Sequence, residues 1–119
     1  MQQRQQASVV LIRANHRKEK VFPHNPLTYQ ALSPEGSKSL AMFRVTAAPN
    51  QTTGTNALQH GGDENFLVLV GRFEFEIEGQ RYTLGPGDSV FIPRGQRHRL
   101  TNVGAETGEG IFVISPPEY

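Results

Sequence analysis

Residues 87–102 read Gly-Asp-Ser-Val-Phe-Ile-Pro-Arg-Gly-Gln-Arg-His-Arg-Leu-Thr-Asn, and this stretch decides the fold. Gly87 and Asp88 suit a tight turn, and residues 89–92 form a short β-prone run. Pro93 and Gly95 end that run, because proline cannot donate to a ladder and glycine accepts positive φ. The chain must then reverse. On the returning segment His98, Leu100 and Asn102 share one face by period-two alternation, while Arg97, Arg99 and Thr101 take the other. A histidine whose neighbours are arginines on the wet face points inward.

The spacing Gly87, Pro93, Gly95, His98 and Asn102 resembles the second sequence motif of the cupin superfamily, with all five marker positions matched. Upstream, His60, Glu64 and Gly71 stand at the intervals of the first cupin motif. Its leading histidine is replaced by Leu58. The resemblance covers residues 40–115 and implies an all-β double-stranded β-helix, a jelly-roll-like barrel. The phrase from Gly85 to Gly95 and the ending Ile-Ser-Pro-Pro-Glu-Tyr at 114–119 are most similar to small single-domain, quercetin-dioxygenase-like cupins. They also resemble the cupin modules that follow helix-turn-helix domains in bacterial regulators.

A chain of 119 residues is long enough for one core and too short for two. An N-terminal arm over 1–37, carrying one or two strands that pack on the barrel or on a partner chain, precedes a cupin barrel over 38–119. Twelve basic and eleven acidic residues give a formal charge of +1, but the charge is unevenly placed. Arg4, Arg13, Arg17, Lys18 and Lys20 face Glu19 alone, so the arm is read as a solvated basic segment, with nucleic-acid contact not expected. The absence of cysteine excludes disulfides, thiolate metal sites and cysteine nucleophiles. Any metal must therefore be held by nitrogen and oxygen. The apolar run at 9–12 is too short for a signal-peptide core, and no stretch approaches the ~18 apolar residues of a membrane span. A cytoplasmic protein is the expectation.

Short apolar stretches punctuated by Gly, Pro, Asn and Ser place strands at 8–14, 27–33, 40–47, 56–60, 66–70, 72–78, 81–84, 89–92, 97–102 and 110–114. The clearest is 72–78, where Phe73, Phe75 and Ile77 form a core face and Glu74, Glu76 and Glu78 a solvated one. Residues 66–70 are apolar on both faces, which predicts that neither side meets solvent. The 9–12 segment is the candidate cover, from its own chain or by exchange with a second copy. The family resemblance implies a homodimer of that kind.

With 56–60 extended, Leu58 and His60 face the same way, and Glu64 opens the next strand within reach of the His60 imidazole. The resemblance brings His98 from across the barrel to join them. Two imidazoles and a carboxylate make the ligand set of a facial triad for Fe, Mn, Ni, Co or Zn. The pattern carries a second reading, in which His60 and His98 are hydrogen-bonded pocket residues and Glu64 is their partner. His16 and His24 are expected to be exposed and without a role, and Arg94 to be solvated at the barrel mouth, where anion steering is the alternative.

Three functions follow from the resemblance. The first is a metal-dependent, dioxygenase-like enzyme acting on a small aromatic or dicarbonyl compound, with His60, Glu64 and His98 as metal ligands and Glu64 and His98 in catalysis. The second is a barrel that binds or senses a small ligand without turnover. The third is a metal-free isomerase or epimerase, which the loss of a ligand at Leu58 favours.

Overall fold

Residues 8–54 and 61–117 are described by the computed structural model. Its strands, in chain order, are β1 (Glu19–Lys20), β2 (Thr28–Ala31), β3 (Ala41–Ala47), β4 (Asp63–Val70), β5 (Phe73–Ile77), β6 (Gln80–Leu84), β7 (Ser89–Ile92), β8 (His98–Asn102) and β9 (Gly108–Ser115). One turn of 3-10 helix lies at Ala14–His16. A six-stranded sheet of order β1-β2-β3-β9-β4-β7 faces a three-stranded sheet of order β6-β5-β8, with antiparallel pairing throughout. This is the double-stranded β-helix that the resemblance implies.

Alternation puts the core between the sheets. Phe43 and Val45 of β3, Phe66 and Val68 of β4, and Ile114 of β9 meet Phe73 and Phe75 of β5 and Leu100 of β8, all buried. On the outer side of the smaller sheet, Glu76 pairs with Arg99 at 3.3 Å and Glu74 with Arg81 at 3.8 Å. The glutamates of this strand thus form a charged, cross-strand paired face, worth little individually because it is wet. The segment 50–53 extends the smaller sheet beyond β8: Thr53 N–H donates to the Leu100 carbonyl at 3.0 Å, and Asn102 N–H to Gln51 at 2.9 Å.

Asn102, fully buried, clips the end of β8 in place. Its Nδ2 donates to the carbonyls of Ala47 and Glu106, both at 2.9 Å, and its Oδ1 accepts Gly104 N–H at 2.8 Å. The last residue of the motif is therefore a structural clamp. Gly110 on β9 has a different reason to be glycine: a Cβ there would lie 2.3 Å from the Phe66 ring, so the ring rests directly on the backbone.

Two expectations need correction. Residues 8–14 form no strand; they run as coil into the 3-10 turn, with Val9 99% exposed. A β-prone run needs a ladder partner, and no described strand pairs with it. It therefore does not cover β4 within the described residues, and the outward side of β4 meets solvent, with Leu69 44% exposed; on the same sheet Phe91 of β7, opposite Asn65, is 59% exposed. The strand expected at 56–60 lies outside the described residues.

Candidate functional site

Glu64 is the second residue of β4, paired with Ile92 of β7 and Ile114 of β9. Because Phe66 and Val68 follow it on the inward face, the same alternation that buries the core carries a carboxylate inside, 3% exposed. His98 opens β8 directly after the Pro93–Gly95 reversal, in which Gly95 adopts φ +81°. Its ring is 4% exposed, and its Nε2 lies 3.1 Å from Glu64 Oε2. Two residues separated by 34 positions thus meet in the interior because each begins the inward face of its strand.

The other ring nitrogen of His98, Nδ1, lies 3.1 Å from the Gln96 carbonyl oxygen. That oxygen can only accept, so Nδ1 carries a proton and Nε2 is directed at the carboxylate. Burial disfavours the imidazolium, but the Glu64 hydrogen bond and charge, with the Gln96 carbonyl, outweigh it and hold His98 above its usual pKa. A buried pair of this kind stabilises little on balance, because desolvation consumes most of the attraction; its presence points to use rather than to stability.

The pair sits in a cavity of about 190 Å³. Phe22, Phe66, Phe75 and Phe112 supply aromatic wall, and Tyr29, Asn25 and Thr53 add polar atoms to those of Glu64 and His98. Such an apolar chamber with a few converging polar groups is the usual construction of a small-molecule site. Burial raises the Tyr29 phenol above its ordinary pKa; the Asn25 hydrogen bond pulls the other way, and the Glu64 charge adds to burial. The phenol is neutral at physiological pH.

Glu64 and His98 lie side by side, the juxtaposition that the family resemblance implies, while His60, and Leu58 in the place of a further ligand, lie outside the described residues. No group of three His, Cys, Asp or Glu side chains assembles among the described residues. The donors present fit a divalent cation of borderline hardness. A carboxylate oxygen faces an imidazole Nε2, and the Nδ1–H of that imidazole is fixed on a backbone carbonyl, the outer hydrogen bond that orients metal-binding histidines. His16 and His24 are exposed, as expected. Arg94 is exposed and engaged by Asp63, which accepts its backbone N–H at 3.0 Å and its guanidinium at 3.2 Å. The Arg94 hydrogen bonds hold the Asp63 carboxyl below its ordinary range.

Sequence reading missed Tyr29, Asn25, Phe22 and Thr53, all of which line the cavity. The arm thus contributes part of the cavity wall. The signal was present in Asn25-Pro26-Leu27, a turn phrase, followed by the alternation of buried Leu27 and Tyr29.

The sequence matches the Cupin domain family over residues 43–114. It is 34% identical over 83 residues to the HTH-type transcriptional regulator PuuR of Escherichia coli, covering 70% of this chain and 44% of the regulator. It is 36% identical over 58 residues to the polyketide synthase CurC of Streptomyces cyaneus, covering 48% of this chain and 38% of that protein. The chain thus spans less than half the length of either curated relative. The polyketide cyclase RemF of Streptomyces resistomycificus superposes with a TM-score of 0.74 at 20% identity, covering 91% of this chain and 80% of that one, which is a likeness of fold.

Proposed function

This chain belongs to the cupin domain family, and from that premise we propose that it is a dioxygenase-like enzyme, dependent on a divalent metal, acting on a small aromatic or dicarbonyl compound. The observation that carries the reading is the buried Glu64–His98 pair, 3.1 Å apart, in a chamber walled by phenylalanine rings. Planar unsaturated compounds match such walls by edge and face contact. A carboxylate within hydrogen-bond distance of an imidazole suits the interconversion of keto, enol and enolate forms. Glu64 accepts the proton lost from the substrate, and His98 holds it within hydrogen-bond distance.

His60, Glu64 and His98 would hold the metal (Fe, Mn, Ni, Co or Zn), which when bound supplies Lewis acidity toward a substrate oxygen and, for the redox-active metals, oxygen activation. The likeness to a polyketide cyclase and a polyketide synthase supports a dicarbonyl substrate class, since polyketides carry alternating carbonyls. The test is oxygen uptake by protein loaded in turn with each metal, in the presence of benzoylacetone. Uptake dependent on Glu64 and His98 is the expected result. Binding of benzoylacetone without uptake under every metal would overturn turnover and favour the second reading, a ligand-sensing barrel. That reading is supported by the alignment with a transcriptional regulator over 83 residues.

We also propose a homodimer. The arm exposes Val9, Val10 and Leu11, and the outer face of the larger sheet exposes Leu69 and Phe91; these are apolar surfaces that a second copy can bury against each other. A small-molecule substrate and a second copy are the partners in this proposal, with neither nucleic acid nor membrane involved. Among the described residues no helix is long and apolar enough to cross a membrane.

A further inference from the structure

We infer that Tyr29, oriented by Asn25, is the hydrogen-bond donor that positions a carbonyl or enolate oxygen of the ligand, and so selects oxygenated compounds over hydrocarbons of the same shape. The inference rests on the proposal that this cavity receives a small organic compound, and it holds whether or not a metal is bound.

The amide of Asn25 sets the direction of the Tyr29 hydroxyl. Its Oδ1 lies 3.0 Å from Leu27 N–H, a contact that only an oxygen can accept. This i to i+2 turn fixes which way the side chain faces, because the opposite assignment would set two donors against each other. The Asn25 Nδ2 is thereby committed to Tyr29 Oη, at 3.0 Å. An amide nitrogen only donates, so the phenol accepts in this bond and its own proton remains to be given elsewhere. Among the described residues no acceptor takes it. Tyr29 is 8% exposed and, like Asn25, lines the cavity, so the proton is offered to the chamber rather than to bulk water.

Packing holds that geometry. The Tyr29 ring lies edge-on to Phe22, with centroids 4.8 Å apart, and to Phe43 at 6.1 Å. The strand bearing it is zipped to β3 through Tyr29↔Val45. A buried donor without an intramolecular acceptor costs free energy in the empty protein, and a ligand oxygen recovers that cost. A compound lacking oxygen leaves the donor unsatisfied, and discrimination of this polar kind is stronger than any a hydrophobic wall achieves. With Glu64 and His98 in the same chamber, a 1,3-dicarbonyl compound has one oxygen for Tyr29 and a proton for the Glu64–His98 pair.

The test measures dissociation constants for benzoylacetone and for propylbenzene, which carries a ring and no oxygen, on protein of matched metal content. Tyr29→Phe keeps the ring and should weaken benzoylacetone about tenfold, while leaving propylbenzene within about twofold. Asn25→Asp is the sharper probe. One aspartate oxygen still accepts Leu27 N–H, but the other now takes the phenol proton, so benzoylacetone should weaken to the same degree with Tyr29 intact. The double variant should lose no more than either single one. Equal affinity of wild type and Tyr29→Phe for benzoylacetone would overturn the inference and leave the proposed function standing. Benzoylacetone failing to bind the wild type would overturn both.

Discussion

Gly110→Ala should destabilise the protein by about 2 kcal/mol, and the figure follows from the packing of Phe66. The added Cβ would lie 2.3 Å from Phe66 Cζ, 2.8 Å from Cε2 and 2.9 Å from the Leu67 carbonyl oxygen. Carbon atoms pack at about 3.5–4.0 Å, so the ring must withdraw by more than about 1 Å. It is held edge-on between Phe73 at 5.4 Å and Phe75 at 5.3 Å, which blocks retreat deeper into the core. The carbonyl belongs to the β4–β9 ladder, in which Val68 opposes Gly110, and is equally constrained. Overpacking of this kind costs about 1–3 kcal/mol, and three contacts under 3 Å on two fixed neighbours place it near the top. The reduced freedom of the unfolded chain offsets about 0.4–1 kcal/mol. In urea the midpoint should fall by roughly 1 M. Phe66→Leu removes the ring atoms concerned, so Gly110→Ala in that background should cost much less, with a coupling above about 0.5 kcal/mol. A midpoint unchanged by Gly110→Ala, or an equal loss in both backgrounds, would refute the packing argument. Since Phe66 also lines the cavity, the variant should bind benzoylacetone more weakly.

In metal-free protein the Glu64–His98 pair should make stability depend on pH. His98 has its pKa raised in the fold, so its contribution is fully present below the unfolded value of about 6.5 and is lost as pH rises through the folded value. Urea midpoints should therefore fall from pH 6 to pH 9 more steeply than those of His98→Gln; parallel curves would contradict the assignment. Leu58→His should tighten zinc binding by restoring the fourth ligand that the cupin motif implies, measured by competition with a chromophoric chelator; unaltered affinity would reject the inward register of 56–60. Phe91→Glu, placed on the exposed outer face, should convert the dimer to monomer in light scattering while leaving the unfolding midpoint of the monomer nearly unchanged. A wild type already monomeric at high concentration would refute the proposed dimer.

The barrel was readable because alternation and turn chemistry agree from residue 41 onward. β7 falls where Ser89 and Ile92 bound the apolar run, and β8 begins at His98 because Gly95 allows the reversal that precedes it. His98 was legible for the same reason, a polar residue on a face that alternation assigns to the core, whereas Glu64 was legible through its place in the motif that the resemblance supplied. The arm was not. Its apolar segment at 9–12 has strand composition but no ladder partner among the described residues, a fact of tertiary pairing that local propensity does not carry. The polar wall of the cavity was hidden differently. Tyr29 lies on a four-residue strand whose inward direction is fixed by pairing with β3, and its hydroxyl is oriented by an asparagine that reads, in isolation, as an ordinary turn residue. Asn102 shows the converse: the motif flags it, yet its hydrogen bonds to Ala47, Gly104 and Glu106 make it a clamp.

Cobalt titration of the wild type, Glu64→Gln and His98→Gln, followed by visible absorption with folding checked by circular dichroism, asks whether the buried pair holds a divalent metal. About one equivalent should bind per wild-type chain and be lost in each folded variant. Retention of that equivalent in both variants, or no binding by the wild type, would contradict metal binding by the pair.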